Sequence, residues 1–203
     1  CFIHPEKGSF YLLGELLVDL ALDADSQALV DQKTRGPNGG CGTCRRCQVF
    51  CPTGALSKDY SIDASKCLAY YSIEHRGLVP LEYWPHFGKY LFGCDICQLV
   101  CPYNRKIAAI SKETIRLHEA PPLEDIALMS QSYYESTFGG TPLTRAKKTG
   151  LRRNALISMV VTSNPKLPQV LCDLTKEGEP LLMGTVAQIP DYQRSFSNRC
   201  QKA

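Results

Sequence analysis

The chain has 203 residues, of which 44% are hydrophobic and 21% charged, which is typical of one or two globular domains and excludes collagen-like, coiled-coil and disordered chains. A formal net charge of only +3 excludes a strongly basic nucleic-acid binder but leaves room for a local basic patch. No apolar run reaches the ~18 residues of a membrane span, so we expect no membrane association.

The first residues, Cys1 to Pro5, resemble the interior of a domain rather than its beginning. Residues 9–22 form an apolar stretch whose early part suits a strand and whose later leucines could continue a buried turn, and periodicity alone does not separate these options. Residues 23–40 are polar and glycine-rich at their end, which predicts a long surface loop. No signal peptide is visible, so we expect a cytoplasmic location, where thiols usually bind metal or stay reduced.

Helices are predicted in the last two thirds of the chain. The candidates are 67–76 with Gly77 as a stop, the Pro-opened and Gly-closed segment 121–140, and three short amphipathic segments at 151–163, 165–177 and 181–189. The last three in tandem resemble a fragment of an α-solenoid. The polar tail from Asp191 is predicted to fray.

Eight of the 11 cysteines lie between residues 41 and 101. The first run has the spacing Cys-x2-Cys-x2-Cys-x3-Cys-Pro, which is the bacterial ferredoxin pattern for a [4Fe–4S] cluster. In that pattern one tight loop supplies three thiolates to one cluster, and the fourth cysteine turns away to ligate another. The run therefore predicts two clusters.

The second run supplies most of the remaining ligands. Cys94, Cys97 and Cys101 repeat the end of the first motif, but Leu91 stands where its first cysteine would be. Cys67 lies between the runs and is the natural replacement. We assign Cys41, Cys44, Cys47 and Cys101 to one cluster, and Cys51, Cys67, Cys94 and Cys97 to the other.

Zinc ligation and disulfide bonding are the alternatives for the same cysteines, and both fit less well. A zinc site usually has two separated Cys or His pairs, and disulfides need an oxidising compartment and would be strained at this spacing. Of the other three cysteines, Cys172 is predicted to be a small core residue. Cys1 and Cys200 are predicted to have no metal role.

Short sequences around the cysteines carry a family resemblance. Leu13-Gly14-Glu15 precedes the first run, Ile73-Glu74-His75 follows Cys67, and Gly93-Cys94-Asp95 opens the second run. In this order they resemble the epoxyqueuosine reductases, cobalamin-dependent iron–sulfur enzymes of queuosine biosynthesis in tRNA. Residues 140–154 are similar to the start of that family's helical-repeat tail.

The resemblance implies an α+β fold in three parts. Residues 1–40 would be the C-terminal remnant of a cobalamin-binding domain, 41–110 a ferredoxin-like domain with two [4Fe–4S] clusters, and 111–203 a linker and short HEAT-like repeat domain that contacts tRNA. The expected proton donor would precede Cys1. We therefore assign no catalytic residue and expect the chain to be incomplete and inactive alone.

The implied reaction is the reduction of epoxyqueuosine to queuosine at the tRNA wobble position. Electrons from a low-potential donor would pass through the two clusters to cobalamin, while an acid helps oxygen to leave as water. The candidates for cobalamin contact are Leu13, Leu16, His75 and Asp95. Leu13 and Leu16 could equally be core residues, and His75 a surface histidine.

A local basic run is the candidate tRNA contact. Five cations fall within nine residues without an intervening acid, namely Arg145, Lys147, Lys148, Arg152 and Arg153. The alternative is a solvated helix entry. Arg76, beside the Ile-Glu-His segment, is a further candidate for contact with the substrate nucleotide, and we expect a monomer.

Two other functions share parts of this pattern. A corrinoid reductive dehalogenase-like enzyme uses the same cofactors but needs no basic helical tail. An iron–sulfur electron-transfer subunit needs no substrate site of its own. Cobalamin bands in the absorption spectrum would exclude the second, and co-purifying tRNA would disfavour the first.

Overall fold

The computed structural model describes residues 3–4, 7–11, 13–21, 23, 41–57, 61–105 and 120–200, with side chains up to residue 193. The chain divides into two compact units. The first comprises Cys1–Ser61 and Asp95–Leu117, and the second comprises Ile62–Cys94 and His118–Ala203. Except for Asp23, the predicted loop at 23–40 lies outside the described residues.

The first unit is built from short helices. Helix α1 spans Arg46–Phe50, helix α2 spans Ile96–Leu99, and a 3-10 turn at Pro102–Asn104 follows α2. Helices α1 and α2 pack against each other. Backbone pairing in this part is limited to isolated bridges such as that between His4 and Gly8, so the described residues do not show the β component of the predicted α+β fold.

The apolar stretch at 9–22 differs from its prediction. Its described positions have no regular secondary structure, and Leu13, Leu16 and Leu17 are 78%, 92% and 97% exposed. An apolar run becomes a strand or a core turn only when a second layer covers it, and no described residue does so here. The predictions of a strand and of a buried turn are therefore wrong for these residues.

The second unit holds most of the helical residues. It contains the 3-10 turn Ala64–Lys66, the π-helical turn Tyr70–Glu74, the 3-10 helix Leu81–Gly88 and the 3-10 turn Pro142–Ala146. Its α-helices are α3 (Leu123–Ala127), α4 (Gln131–Phe138), α5 (Lys147–Val161), α6 (Leu167–Glu177) and α7 (Pro180–Cys200).

The predicted helices are confirmed with shifted bounds. The segment at 67–76 is helical from Leu68 and already ends at Glu74, and the segment at 121–140 is two helices. Ser130 begins the second of these by accepting the backbone N–H of Tyr133 at 3.1 Å, a typical N-cap. Gly178 ends α6 in the left-handed conformation at φ 71°.

Helix α5 forms the centre of the second unit. All residues from Gly150 to Val160 are buried, so the helix is covered on every side rather than along one stripe. It packs against α3, α6, α7 and the 3-10 helix Leu81–Gly88. Polar side chains on a helix that is buried all round need hydrogen-bond partners within the protein. Arg152, Arg153 and Asn154 therefore each need such partners.

The boundaries of the two units differ from the predicted domain boundaries. Residues 62–94, which were predicted to belong wholly to the cluster domain, fall in the second unit. The reason is packing, because Trp84 and Phe87 are buried in one cluster with Ile157 of α5. Tyr192 of α7 lies 5.2 Å from Trp84 between ring centroids, so the helix continues where a frayed tail was predicted.

No helix in the described part of the chain is long and apolar enough to span a membrane.

Candidate functional site

The first cysteine run folds as a tight turn followed by a short helix. The backbone N–H of Cys44 donates to the carbonyl of Cys41 at 2.9 Å, and α1 then begins at Arg46. Two thiols therefore lie on the turn, while Cys47 lies on the first turn of the helix. This arrangement lets a few consecutive residues offer three thiols to one cluster.

Proline shapes the end of both runs in the same way. Cys51 and Cys101 each precede a proline, which disfavours the helical conformation at the residue before it. Both are extended, with φ −66° and ψ 115° at Cys51 and φ −69° and ψ 125° at Cys101. Each also donates its N–H three residues back, to Gln48 and Gln98. The last cysteine of each run is thus turned out of its helix.

The thiol of Cys41 lies in the electrostatic field of three others. Burial raises its pKa, and the neighbouring Cys101, Cys47 and Cys44 raise it further. The three other thiols therefore lie near Cys41, and a positively charged iron–sulfur core would offset the repulsion among the ionised sulfurs. These four cysteines are one of the two predicted ligand sets, and all belong to the first unit.

The surroundings of Cys51 favour the ionised form of its thiol. Burial alone would raise its pKa, but hydrogen bonds from Thr53, Ala55 and Leu56 together lower it. The N–H of Ala55 donates to its sulfur at 3.3 Å. A thiolate is the form that ligates metal, so these N–H groups favour the ligating state.

Cys67 and Cys94 both belong to the second unit. Cys67 precedes the helical residues 68–74, and its carbonyl accepts the N–H of Tyr71 at 3.3 Å. Cys94 packs against the buried cluster that contains Trp84, and Gly93 before it has φ +78°. Both residues are half-buried.

None of the nine cysteines whose side chains are described forms a disulfide. Among the described residues, no three His, Cys, Asp or Glu side chains converge as the ligands of a single metal ion do. The fit to clusters therefore rests on thiol number, order and the environments of Cys41 and Cys51. Cys172 is exposed on α6, so its prediction as a core residue is wrong, because α6 buries Val170 and Leu174 instead.

Arg152 is removed from the predicted tRNA surface. It is only 2% exposed, donates from Nε to the carbonyl of Ala127 at 2.8 Å, and forms a two-pronged ion pair with Glu177. Hydrogen bonding to Arg152 lowers the pKa of Glu177. The guanidinium is used within the fold, so the prediction of a phosphate contact is wrong for Arg152.

Arg153 needs the same correction. It is 1% exposed, and its N–H groups donate to the carbonyls of Tyr71, His75 and Gly77 and to the Asn154 side chain. Burial lowers its pKa to about 10, with a smaller contribution from Arg76. It is a structural clamp on the segment after Cys67 rather than a phosphate ligand.

Three other cations of the basic set remain at the surface. Lys147 is exposed, Lys148 is half-buried, and Arg145 is exposed while it pairs with Glu74. Arg76 is exposed but donates to the carbonyls of Ile73, Arg145 and Ala146. The free cationic surface at the start of α5 is therefore smaller than the sequence predicted.

The candidate cobalamin residues have different surroundings. In the first unit, Leu13 and Leu16 are exposed, and Asp95 is exposed with its carboxylate accepting from Gln98 Nε2 at 2.8 Å. In the second unit, His75 Nε2 lies 2.9 Å from the carbonyl of Leu78, and its ring contacts Tyr70 and Tyr71. Each candidate is accessible in part, and none is a fully buried core residue.

Comparisons with known proteins show a matching cluster domain and similarity to one group of enzymes. Residues 40–104 match the model of a 4Fe-4S double cluster binding domain. An alignment over 204 residues, 98% of this chain, is 34% identical to an epoxyqueuosine reductase of Escherichia coli K12. A solved epoxyqueuosine reductase of Streptococcus thermophilus matches 84% of the chain with a TM-score of 0.67 and 26% identity.

The chain is a homologue of epoxyqueuosine reductase. It spans 51% of the length of the Escherichia coli relative and 44% of the Streptococcus thermophilus chain. A further solved epoxyqueuosine reductase, bound to an epoxyqueuosine-modified tRNA-Tyr stem loop, matches 80% of this chain and 46% of its own, with a TM-score of 0.64 and 26% identity. The match to the double-cluster domain is evidence for two iron–sulfur clusters.

Two polar residues of this epoxyqueuosine reductase homologue were not singled out by sequence. Ser72 and Asn154 are both fully buried, and Asn154 donates to the carbonyls of Ser72 and Leu91. The available signal was Asn154 itself, a polar residue inside an apolar helical segment where only a satisfied amide is tolerated. Its partners lie more than sixty residues away, so sequence spacing does not reveal them.

Proposed function

We propose that this epoxyqueuosine reductase homologue takes part in the reduction of epoxyqueuosine to queuosine at the tRNA wobble position. The observation that carries the proposal is a double-cluster domain inside a chain that aligns over 98% of its length with the Escherichia coli enzyme. An electron-transfer module alone would account for residues 40–104, but not for the alignment of the helices that follow them.

Eight thiols are proposed to hold two clusters. The first set is Cys41, Cys44, Cys47 and Cys101, and the electrostatic effect of the other three thiols on Cys41 supports it. The second set, proposed from the order of the cysteines, is Cys51, Cys67, Cys94 and Cys97. Bound clusters supply sites that accept and release one electron at a time. The chain's part is to hold the thiolates and to exclude water around them.

The exposed leucines suit contact with cobalamin. Leu13 and Leu16 present bare apolar surface, and contact with the broad face of a corrin would remove it from water. Asp95 and His75 are the proposed polar contacts. When bound, cobalamin would supply the metal centre for a two-electron reduction. A low-potential electron donor and a monomeric state complete the proposal.

Lys147 and Lys148 are the proposed phosphate contacts, with Arg145 and Arg76 beside them. Both lysines lie at the start of α5 in the second unit, and Arg152 and Arg153 no longer belong to the set. Lys147 has φ 62°, an uncommon backbone conformation for a residue with a side chain. Exchange for another non-glycine residue keeps that cost constant, so charge can be varied alone.

We expect a Lys147→Glu and Lys148→Glu double variant to bind an epoxyqueuosine-modified tRNA stem loop more weakly by more than about 1 kcal/mol. The slope of log K against log salt should also flatten, because binding releases fewer counterions when phosphate contacts are lost. Fluorescence anisotropy over a salt titration measures both quantities.

The matched control is Lys166→Glu with Lys176→Glu, which makes the same charge change at lysines paired with Glu124 and Asp173. The control should keep most of the affinity and the salt slope, and iron content should be equal in all three proteins. Equal weakening by the two double variants would show that net charge, not this surface, governs binding.

A further inference from the structure

A buried hydrogen-bond network in the second unit joins the segment after Cys67 to the segment before Cys94. Asn154 of α5 donates from Nδ2 to the carbonyl oxygens of Ser72 at 2.8 Å and Leu91 at 2.9 Å. The hydroxyl of Ser72 accepts the N–H of Gly93 at 3.0 Å. One amide and one hydroxyl therefore tie together the two stretches of backbone that carry these cysteines.

The orientation of the Asn154 amide is determined by its neighbours. Its Oδ1 accepts from Nε and Nη2 of Arg153 at 3.1 and 2.9 Å, and a guanidinium can only donate. Its nitrogen must then face the two carbonyls. Arg153 is in turn held by the carbonyls of Tyr71, His75 and Gly77, so the whole network has one arrangement.

The network acts close to both cysteines. Ser72 lies in the helical turn whose residue Tyr71 bonds to the carbonyl of Cys67. Gly93 immediately precedes Cys94 and has φ +78°, and its N–H is the group that Ser72 holds. Ser72 and Asn154 are both 0% exposed, so bulk water does not reach either contact. Loss of one contact would let the backbone at Cys94 move relative to that at Cys67.

We propose that Ser72 and Asn154 are positioning residues for the [4Fe–4S] cluster shared by Cys67 and Cys94, because they determine the relative placement of these two thiols. This inference rests on the ligand assignment in the proposed function. The reduction potential of a cluster depends on its ligand geometry and on the hydrogen bonds around it. The network therefore tunes one cluster and leaves the other unchanged.

The test compares Ser72→Ala and Asn154→Ala with the unmodified protein after anaerobic reconstitution. Redox titration followed by EPR spectroscopy resolves the two clusters, and a Cys67→Ser variant identifies which signal belongs to the second one. We expect both variants to retain two clusters but to shift the midpoint potential and change the line shape of that signal only.

Two control variants separate positioning from loss of stability. Thr185→Ala removes a buried hydroxyl bonded to the carbonyl of Leu181, and Met159→Ala creates a cavity on α5 itself. Both should lower the denaturation midpoint without moving either potential. If Asn154→Ala does not fold, Ser72→Ala decides alone.

Unchanged potentials in Ser72→Ala, with a stability loss like that of Thr185→Ala, would overturn the inference. A Cys67→Ser protein that keeps both signals would instead overturn the ligand assignment on which it rests, and the two failures are thus distinguishable.

Discussion

Replacement of Cys67 by serine is expected to remove one cluster and spare the other. The eight cysteines between residues 41 and 101 predict about eight irons and about eight sulfides per chain after anaerobic reconstitution. Serine is a poor ligand for a cluster that prefers thiolate, so Cys67→Ser should fall to about half of that iron. Iron and sulfide analysis with EPR spectroscopy measures the change.

Cys172→Ser is the matched control, since it makes the same substitution at an exposed cysteine outside the two ligand sets. It should keep the full iron content and both EPR signals. Four irons in the unmodified protein, together with a dispensable Cys67, would contradict the assignment of two clusters with exchanged ligands.

Arg153→Met is expected to cause a large loss of stability. The substitution leaves the carbonyls of Tyr71, His75 and Gly77 and the Oδ1 of Asn154 without their donor. Each buried acceptor left unpaired costs about 1–3 kcal/mol. Burial of the Arg153 guanidinium, which lowers its pKa to about 10, is itself unfavourable. Its removal therefore offsets part of this loss in the free energy of unfolding.

The net expectation for Arg153→Met is a decrease of about 3 kcal/mol or more in the free energy of unfolding, measured by chemical denaturation. Lys89→Met is the control, because it removes an exposed cation in the same unit and should change stability by less than about 0.5 kcal/mol. A small effect of Arg153→Met would mean that Arg153 is not the clamp described here.

The cluster motifs could be predicted from sequence because their determinants are local. A two-residue gap makes a turn, and a proline after the last cysteine forces that cysteine out of its helix, as Cys51 and Cys101 show. Such effects act within a few residues and do not depend on the rest of the fold. The two helices within residues 147–177 could also be predicted from their local periodicity, although their bounds are shifted.

The burial of Arg152 and Arg153 could not be predicted in this way. A run of cations has the same sequence pattern whether it faces water or the interior. Whether a cation is buried depends on the partners that the fold brings to it. Those partners are Glu177, 25 residues later, and carbonyls near Tyr71, more than seventy residues earlier. Conversely, the apolar residues at 9–22 suggested a strand or core turn, but nothing described covers Leu16.

We propose that this chain supplies the electron path and the tRNA surface of an epoxyqueuosine reductase. The most direct test replaces the aligned segment of the Escherichia coli relative, 51% of its length, with this chain and assays the chimera anaerobically with cobalamin and a low-potential reductant. The substrate is an epoxyqueuosine-modified tRNA stem loop, and mass spectrometry of its nucleosides measures the product. We predict that the chimera forms queuosine and that its Cys94→Ser variant does not. A chimera that holds about eight irons and binds both cobalamin and tRNA, yet forms no queuosine, would contradict the claim.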